Sequence, residues 1–514
     1  MTELSPKNIT IIRHCGRGVP PDIPDLISIL HSKAEILQLT GMNNHAREEL
    51  LKGLFLSRKT NDLRFEAESL RRLSSVATSS GDYQSAIDYG QGSIKCFEEL
   101  KDDSGISECL DGIGAVKHYQ SDYKQALDFY QSSLKIKESL GERKALAISY
   151  NHLGGINRML GNFPTALDYY GRALSLHREH NNLPGESMSL NNIGIIYDTQ
   201  GDFRKALEYY TQALQIQERI GDSQAQAASL TNIGYVYNHQ GNGPKALSYY
   251  QKALSIQKET DDRRGQAYTL NHMGLIYSGL GDYDRAMDYY NRSLVIREKL
   301  GQRQGVAVNL NNIGLLLFRQ GNYQDALAHL ERSYAIRRET GDRPGQVYCL
   351  ANMASAYNDL GKFDEARISL EEALDLTESI ADSEAQRRVY SGLTELYIAQ
   401  THTEKAVQYA QMTLNLAKEI DNKPGMAEAT LLMARVKADR SLYEESLSIF
   451  EKLDQPYGIA KACYYFGQTL VEAGEIKMAL NCLEKAKELF GKIGAKAWIE
   501  KINRTIQKQI GESK

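Results

Sequence analysis

One repeat distance constrains this chain more than any other feature. The segments L-N-N-I-G-I-I-Y from Leu190, L-T-N-I-G-Y-V-Y from Leu230, L-N-H-M-G-L-I-Y from Leu270 and L-N-N-I-G-L-L-L from Leu310 follow one another at a period of 40 residues. A small residue recurs at Gly114, Gly154, Gly194, Gly234, Gly274, Gly314, Ala354 and Ala434, and a second at Ala86, Ala126, Ala166, Ala206, Ala246, Ala286, Ala326, Ala366 and Ala406. A fixed period of this size signals stacked supersecondary units, none of which buries its apolar face alone, so the core runs along the stack. The 514 residues therefore do not divide into three or so closed domains of about 150 residues, as length alone suggests.

Within one unit, Leu190, Ile193, Gly194 and Tyr197 fall at i, i+3, i+4 and i+7, one stripe of an amphipathic helix, here termed helix A. After Gly201, Asp202 is placed to cap a second helix, helix B, with a stripe through Phe203, Ala206, Tyr210, Ala213 and Ile216. Gly221-Asp222, Gly341-Asp342 and Asn422 supply a stop and a cap between units. Each unit reads as a helical hairpin in which Gly194 admits helix B closely and Tyr210 fills the space between the helices. The first unit is marked by Ala34, Gly41 and Ala46, and ten more follow in register to Ala434 and Tyr443. A twelfth, with Gly467, Gly474, Ala479 and Ala486, comes 33 residues on, which suggests a shorter linker around Asp454-Gln455-Pro456. Ala495 to Ile510, with Trp498, Ile499, Ile502 and Ile506, reads as a final helix covering the last hairpin, as solenoids require. The expected organisation is an N-terminal extension over 1–26, a solenoid over 27–490, and a capping helix and tail over 491–514.

These columns resemble the tetratricopeptide repeat (TPR) from about residue 27 to 490. The motif L-N-N-[IL]-G and the linker Gly341-Asp342-Arg343-Pro344-Gly345 are similar to Pins-type spindle-orientation adaptors, to kinesin light chain and to repeats of bacterial signalling proteins. The chain departs from the eukaryotic relatives: no coiled-coil segment precedes the repeats, and too little follows for the G-protein-binding motifs of the Pins family. Its closing stretch, Ala486 to Ala495, is similar to the ends of repeat arrays in bacterial regulatory ATPases and cyclases. The resemblance implies an all-α fold, a right-handed α-solenoid of about twelve TPR hairpins with a C-terminal capping helix. It also implies a scaffold or adaptor that binds an extended peptide or a helix of a partner protein on the concave helix A face. The alternative is a regulatory sensor array that binds a small signalling peptide and controls an effector.

Helix A positions not used for stacking carry a polar ladder. Asn192, Asn232, Asn312 and Asn352 share one column with His152 and His272; Asn151, Asn191, Asn271 and Asn311 form a second; Asp198, Asn238, Ser278 and Asn358 a third. An amide both donates and accepts, so a file of Asn at repeat spacing suits the backbone of an extended peptide whatever its sequence. The same amides can instead tie adjacent hairpins together. Specificity is expected from the nonrepeating Arg158, Tyr235, His239, Phe318 and Arg319. Arg71-Arg72 and Arg387-Arg388 are candidates for gripping an acidic tail, although exposed arginine pairs are more often solvated.

Other functions find little support. A formal net charge of -4 gives no field for nucleic acid or anionic membrane, and Ile9-Thr10-Ile11-Ile12 is too short for a signal or membrane segment. A cytoplasmic location is expected. Cys15, Cys96, Cys109, Cys349, Cys463 and Cys482 include no C-x-x-C pair, and His177 and His180 have no third ligand nearby, so neither a metal nor another cofactor is expected. The stretch Cys15 to Pro21 lacks the G-K-[ST] ending of a phosphate loop, and no catalytic elbow appears, so the chain reads as a non-enzyme.

Overall fold

The computed structural model describes residues 22–378, 380 and 382–512; the stretch from Cys15 to Pro21 and the apolar run at Ile9 lie outside them. Among the described residues every regular element is a helix. The chain divides into two compact units, residues 1–225 and 226–514. In the first, five hairpins follow one another: α1 (Ile23–Leu39) with α2 (Asn43–Lys59), α3 (Leu63–Ser79) with α4 (Tyr83–Leu100), and α5 (Asp103–Tyr119) with α6 (Tyr123–Leu140). Then come α7 (Arg143–Met159) with α8 (Phe163–Glu179), and α9 (Leu183–Thr199) with α10 (Phe203–Ile220). Helix α11 (Ser223–His239) carries the chain over the boundary and pairs with α12 (Gly243–Glu259). The second unit continues with α13 (Arg263–Gly279) and α14 (Tyr283–Lys299), α15 (Arg303–Gln320) and α16 (Tyr323–Glu339), and α17 (Arg343–Asp359) and α18 (Phe363–Glu378). It ends with α19 (Ser383–Ala399) and α20 (Thr403–Glu419), α21 (Lys423–Lys437) and α22 (Arg440–Lys452), α23 (Pro456–Glu472) and α24 (Ile476–Lys492), and the single α25 (Lys496–Glu512). Odd-numbered helices to α23 are A helices, and even-numbered ones are B helices.

The caps lie where the sequence puts them. Asp202 accepts from the Lys205 amide at 3.1 Å, Asp222 from Ala225 at 3.0 Å, Asp342 from Gly345 at 3.0 Å and Asn422 from Gly425 at 2.8 Å. Each satisfies one of the orphan amides of a helix start. Tyr210 is buried against Gly194, where a β-carbon would lie only 2.7 Å from its ring; from Gly114 to Gly274 the glycine column seats a tyrosine ring, and at Gly314 a leucine takes its place. A second tyrosine column stacks across some of the hairpins, Tyr197 on Tyr209 at 5.5 Å and Tyr277 on Tyr289 at 5.3 Å. Helix B is also pinned to helix A by buried serines. Ser93 donates to the Ala67 carbonyl at 2.7 Å, and Ser293 and Ser333 do the same to Ala267 and Ala307.

The short twelfth spacing needs a correction. The linker at 453–455 is of ordinary length, and the missing residues come from the preceding hairpin, whose α21 and α22 have 15 and 13 residues against 17 or 18 elsewhere in most helices. Ala438, left-handed at φ 52°, ends α21 early, and Asp439 caps α22 at once by accepting from Ser441 and Leu442.

In the first unit helices pack on their neighbours in sequence and on the next A helix. The second unit closes on itself. One hydrophobic cluster holds Tyr277, Tyr283 and Ile313 of its early hairpins together with Tyr464, Phe490 and Trp498 of its end. Gly281 and Gly321 make this approach possible: both have positive φ, 79° and 85°, and a β-carbon there would run into Ile493 and Ala497. Trp498 is 1% exposed and stacks on Phe490 at 4.8 Å. Lys501 of α25 donates to Asp359 at 2.8 Å and reaches the Tyr323 hydroxyl at 3.4 Å. The last helix therefore covers the final hairpin and also joins it to helices α15 to α17.

Candidate functional site

Closure of the second unit leaves a partly open chamber of about 660 Å³ lined mainly by the A helices α13 to α23. Its wall mixes charges. Glu395 receives Arg435 from α21 and Lys461 from α23, the latter at 3.0 Å. Burial alone would raise this carboxyl, but the two cations outweigh it and hold Glu395 down at about 2. Glu384 is held by Arg387 at 2.8 Å and Arg388 at 3.0 Å, and Asn422 donates to it at 2.7 Å; Arg387 also meets Glu428 at 3.0 Å. Asp359 has Lys501. Each of the chamber's four carboxylates thus has a basic partner.

Arg319 differs from the other cations of this wall. Its guanidinium donates to the Ser278 hydroxyl at 3.2 Å and lies 5.5 Å over the Tyr457 ring. It also lies beside the buried Tyr283 hydroxyl, and among the described residues it forms no ion pair with a carboxylate. The Tyr457 hydroxyl and the Asn358 side-chain oxygen are buried in the same wall without a hydrogen-bond partner.

The remaining expected residues fall into two groups. Asn151 is buried with its amide used inside: its Nδ2 lies 3.2 Å from His177 and its Oδ1 accepts from Ser189 at 3.1 Å. That fixes His177, which also meets Asn182 at 3.1 Å, as a link between helices. Asn312 donates to buried Asn271 and Asn352 donates to Asn311, both at 3.0 Å, so the two asparagine columns pair across adjacent hairpins. Asn191, Asn192 and Asn232 are half-buried on α9 and α11. His152 packs on Tyr130 at 4.9 Å; Tyr235 lies 4.4 Å from His239 and 5.6 Å from His272, whose imidazole is held down at about 4 by burial and then by Arg297. Arg158 lies beside the buried Tyr170 hydroxyl. Phe318 lines the chamber with Arg319. Asp198, half-buried in the first unit, is pushed up to about 6 by burial, and its Oδ1 has no partner.

The paired arginines are engaged by this chain's own carboxylates: Arg71 meets Glu68 and Glu108, and Arg72 meets Glu68 and Glu35. The common pattern is Glu68-x-x-Arg71-Arg72 and Glu384-x-x-Arg387-Arg388, a carboxylate followed at i+3 and i+4 by two arginines. Glu395, Lys461, Tyr457 and Lys501 gave no such signal. Among the described residues no group of three or more His, Cys, Asp or Glu is placed to hold a metal ion, and no helix is long and apolar enough to cross a membrane.

Comparison with known proteins finds no match among curated ones. Solved structures with similar architecture include the apo quorum sensor NprR from B. thuringiensis, 16% identical over 66% of this chain and 99% of that one, with a TM-score of 0.48. Apo RapI is 19% identical over 52% of this chain and 98% of its own, at 0.43. BtubC (BKLC) from P. vanneervenii is 23% identical over 42% and 90%, at 0.38. A family model described as tetratricopeptide repeat matches residues 65–139, 145–219, 225–299, 305–379 and 346–419, well over half of the chain. With hairpin after hairpin in the register of those matches, the chain belongs to the tetratricopeptide-repeat family.

Proposed function

We propose that this protein is an adaptor that binds an extended peptide or a helix of a partner protein along its A helices, without catalysis, metal, cofactor, nucleic acid or membrane, in the cytoplasm. The observation that carries the reading is the pair Asn312 and Asn352 on α15 and α17, which use a donor on a neighbouring amide and keep their carbonyl oxygen for another partner; the same repeat column holds Asn192 in the first unit and Asn232 in the second. His152 and His272 stand in the same repeat column and Asn191 in the neighbouring one, and the nonrepeating Arg158, Tyr235, His239, Phe318 and Arg319 set which peptide fits. The second reading, a sensor array for a small peptide, is favoured by the concave chamber of about 660 Å³, a volume that suits a short ligand.

The test starts with the full chain immobilised, partners captured from native lysate and identified by mass spectrometry. Replacing the four asparagines by Ala removes about 1 kcal/mol for each lost hydrogen bond. Affinity for the captured partner is then expected to fall about a thousandfold. Melting should stay cooperative. Unchanged affinity in a folded variant sinks the reading.

A further inference from the structure

We infer that two copies of this chain pair through their first hairpins, helix α1 of each copy packing on the outer face of α2 of the other. The column of Ile36 continues at the 40-residue period through Val116, Ile156 and Ile196, and there it packs on the B helix of the hairpin before. Val116 lies in one cluster with Ala86 and Ile87 of α4, Ile156 with Ala126 and Tyr130 of α6, and Ile196 with Ala166 and Tyr170 of α8. All three are fully buried. Among the described residues no hairpin precedes α1, and Ile36 is 54% exposed. The array therefore presents at α1 a stacking edge whose complement is a B helix.

The outer face of α2 departs from the repeat in the direction such a contact needs. Leu51 stands where the other four B helices of this unit have Gln91, Gln131, Gly171 and Thr211, and Phe55, 66% exposed, where they have Lys95, Lys135, Ser175 and Gln215. Met42 takes the place of Asp82 and Asp122, which cap α4 and α6, so α2 starts without a side-chain cap and carries an exposed apolar side chain instead. An apolar set of this kind marks a contact surface. Leu51 and Phe55 are four residues apart on one helix face, the spacing at which Ala126 and Tyr130 receive Ile156. Edge and face belong to one hairpin, so a two-fold axis sets each against its complement on a second copy. Head-to-tail stacking is closed off, because α25 already covers the last hairpin. Lys33 and Lys52 both pair with Glu49 at 3.0 Å, and Arg72 pairs with Glu35 at 3.2 Å. Two copies thus meet without unpaired like charges at these positions, and a partner selected by charge gains little there.

Sedimentation of the full-length protein over a wide range of concentration tests this. A monomer–dimer equilibrium that stops at the dimer is expected. Phe55→Lys and Leu51→Gln put back residues that the repeat itself uses at these exposed positions, so melting should be unchanged. Each acts twice in a two-fold contact, and each should weaken association roughly tenfold to a hundredfold. Val295→Lys, at the same place in α14, should change nothing. Copies carrying Ile36→Cys, mixed with copies carrying Phe55→Cys, should cross-link to each other faster than either does to its own kind. A protein that stays monomeric overturns the inference, and if it then holds a lysate protein or a lipid vesicle through Phe55, that is the occupant instead. A dimer that survives Phe55→Lys and Leu51→Gln, or one whose cysteines join only like copies, overturns it as well. Self-association is read without any ligand, so it stands or falls separately from the peptide-binding reading.

Discussion

Hairpins one to five and hairpins seven to twelve are cut from the same 40-residue part, yet they are held together differently. In the first unit a residue meets its own hairpin and the next, and the cap, the glycine column and the serine-to-carbonyl bonds act within a hairpin or at its edges. In the second unit the same devices operate, and on top of them Lys501 reaches Asp359 and Tyr323 across 142 and 178 residues of sequence. A linear stack behaves as a chain of nearest neighbours whose ends can fray independently. A closed one couples its first and last hairpins, because losing either removes the other's packing partner.

The largest expected effect breaks that coupling at Trp498. Trp498→Ala removes a ring that is 1% exposed and should cost about 3–5 kcal/mol. Hydrogen exchange should then show lost protection in α13 to α15 as well as in α23 to α25. Leu153→Ala in α7, also a buried position, should cost a similar amount while loosening only neighbouring hairpins. Loss of protection confined to the C-terminal helices in the Trp498 variant would mean that the closure contributes nothing.

Acid provides the next test, because each unit contains a buried imidazole held well below its usual value. His31 is lowered to about 4 by burial and then by Arg72, and His272 to about 4 by burial and then by Arg297. The unfolded chain binds protons first, so the stability each neutral ring contributes is full above about pH 6.5 and is lost as pH falls toward 4. The loss should be about 3 kcal/mol for each of these two rings. The units should part company already inside that window, because burial of Asp198 in the first unit raises it to about 6, costs stability at higher pH, and is relieved as pH falls from 6 toward its ordinary 3.8, offsetting the loss at His31. Glu395, depressed to about 2, contributes above its ordinary value of 4.5 and is lost as pH falls toward 2, and only the second unit contains it. Denaturant titrations across pH, read separately by probes in each unit, check this; parallel curves to pH 2 would contradict it.

The smallest effect is Lys501→Ala. The pair it forms with Asp359 is partly exposed, so its loss should cost about 1 kcal/mol or less in urea unfolding. Its value lies in location, since protection should fall around Asp359 and Tyr323 rather than only near the substituted residue.

Legibility in the sequence followed the range of the interaction. Asp202, Gly194 and Tyr210 act over a few residues to one hairpin, and their spacing announces their roles. The pairing of Asn271 with Asn312 and of Asn311 with Asn352 was harder to see, because the partners are 41 residues apart and sit in adjacent columns rather than the same one. The closure could not be seen at all. Gly281 and Gly321 look like every other turn glycine of the array, and only the accumulated rotation of four intervening hairpins brings Ile493 and Ala497 onto them. For the same reason Arg319 was visible as a nonrepeating residue but not as a cation lacking a carboxylate. That judgement needs Tyr457, 138 positions along the chain, to be known as its neighbour.

The shortened eleventh hairpin gives the second unit something the first does not possess, a fixed tally. A row of identical parts that touch only in sequence accepts duplication or loss of a part anywhere along it. A ring does not, because one hairpin more or fewer between Gly281 and Ile493 would carry the two edges past each other. Lineages of this protein should therefore vary in length ahead of α13 and hold their number constant from there to α25, and the clipped α21 and α22 set where the last edge lands.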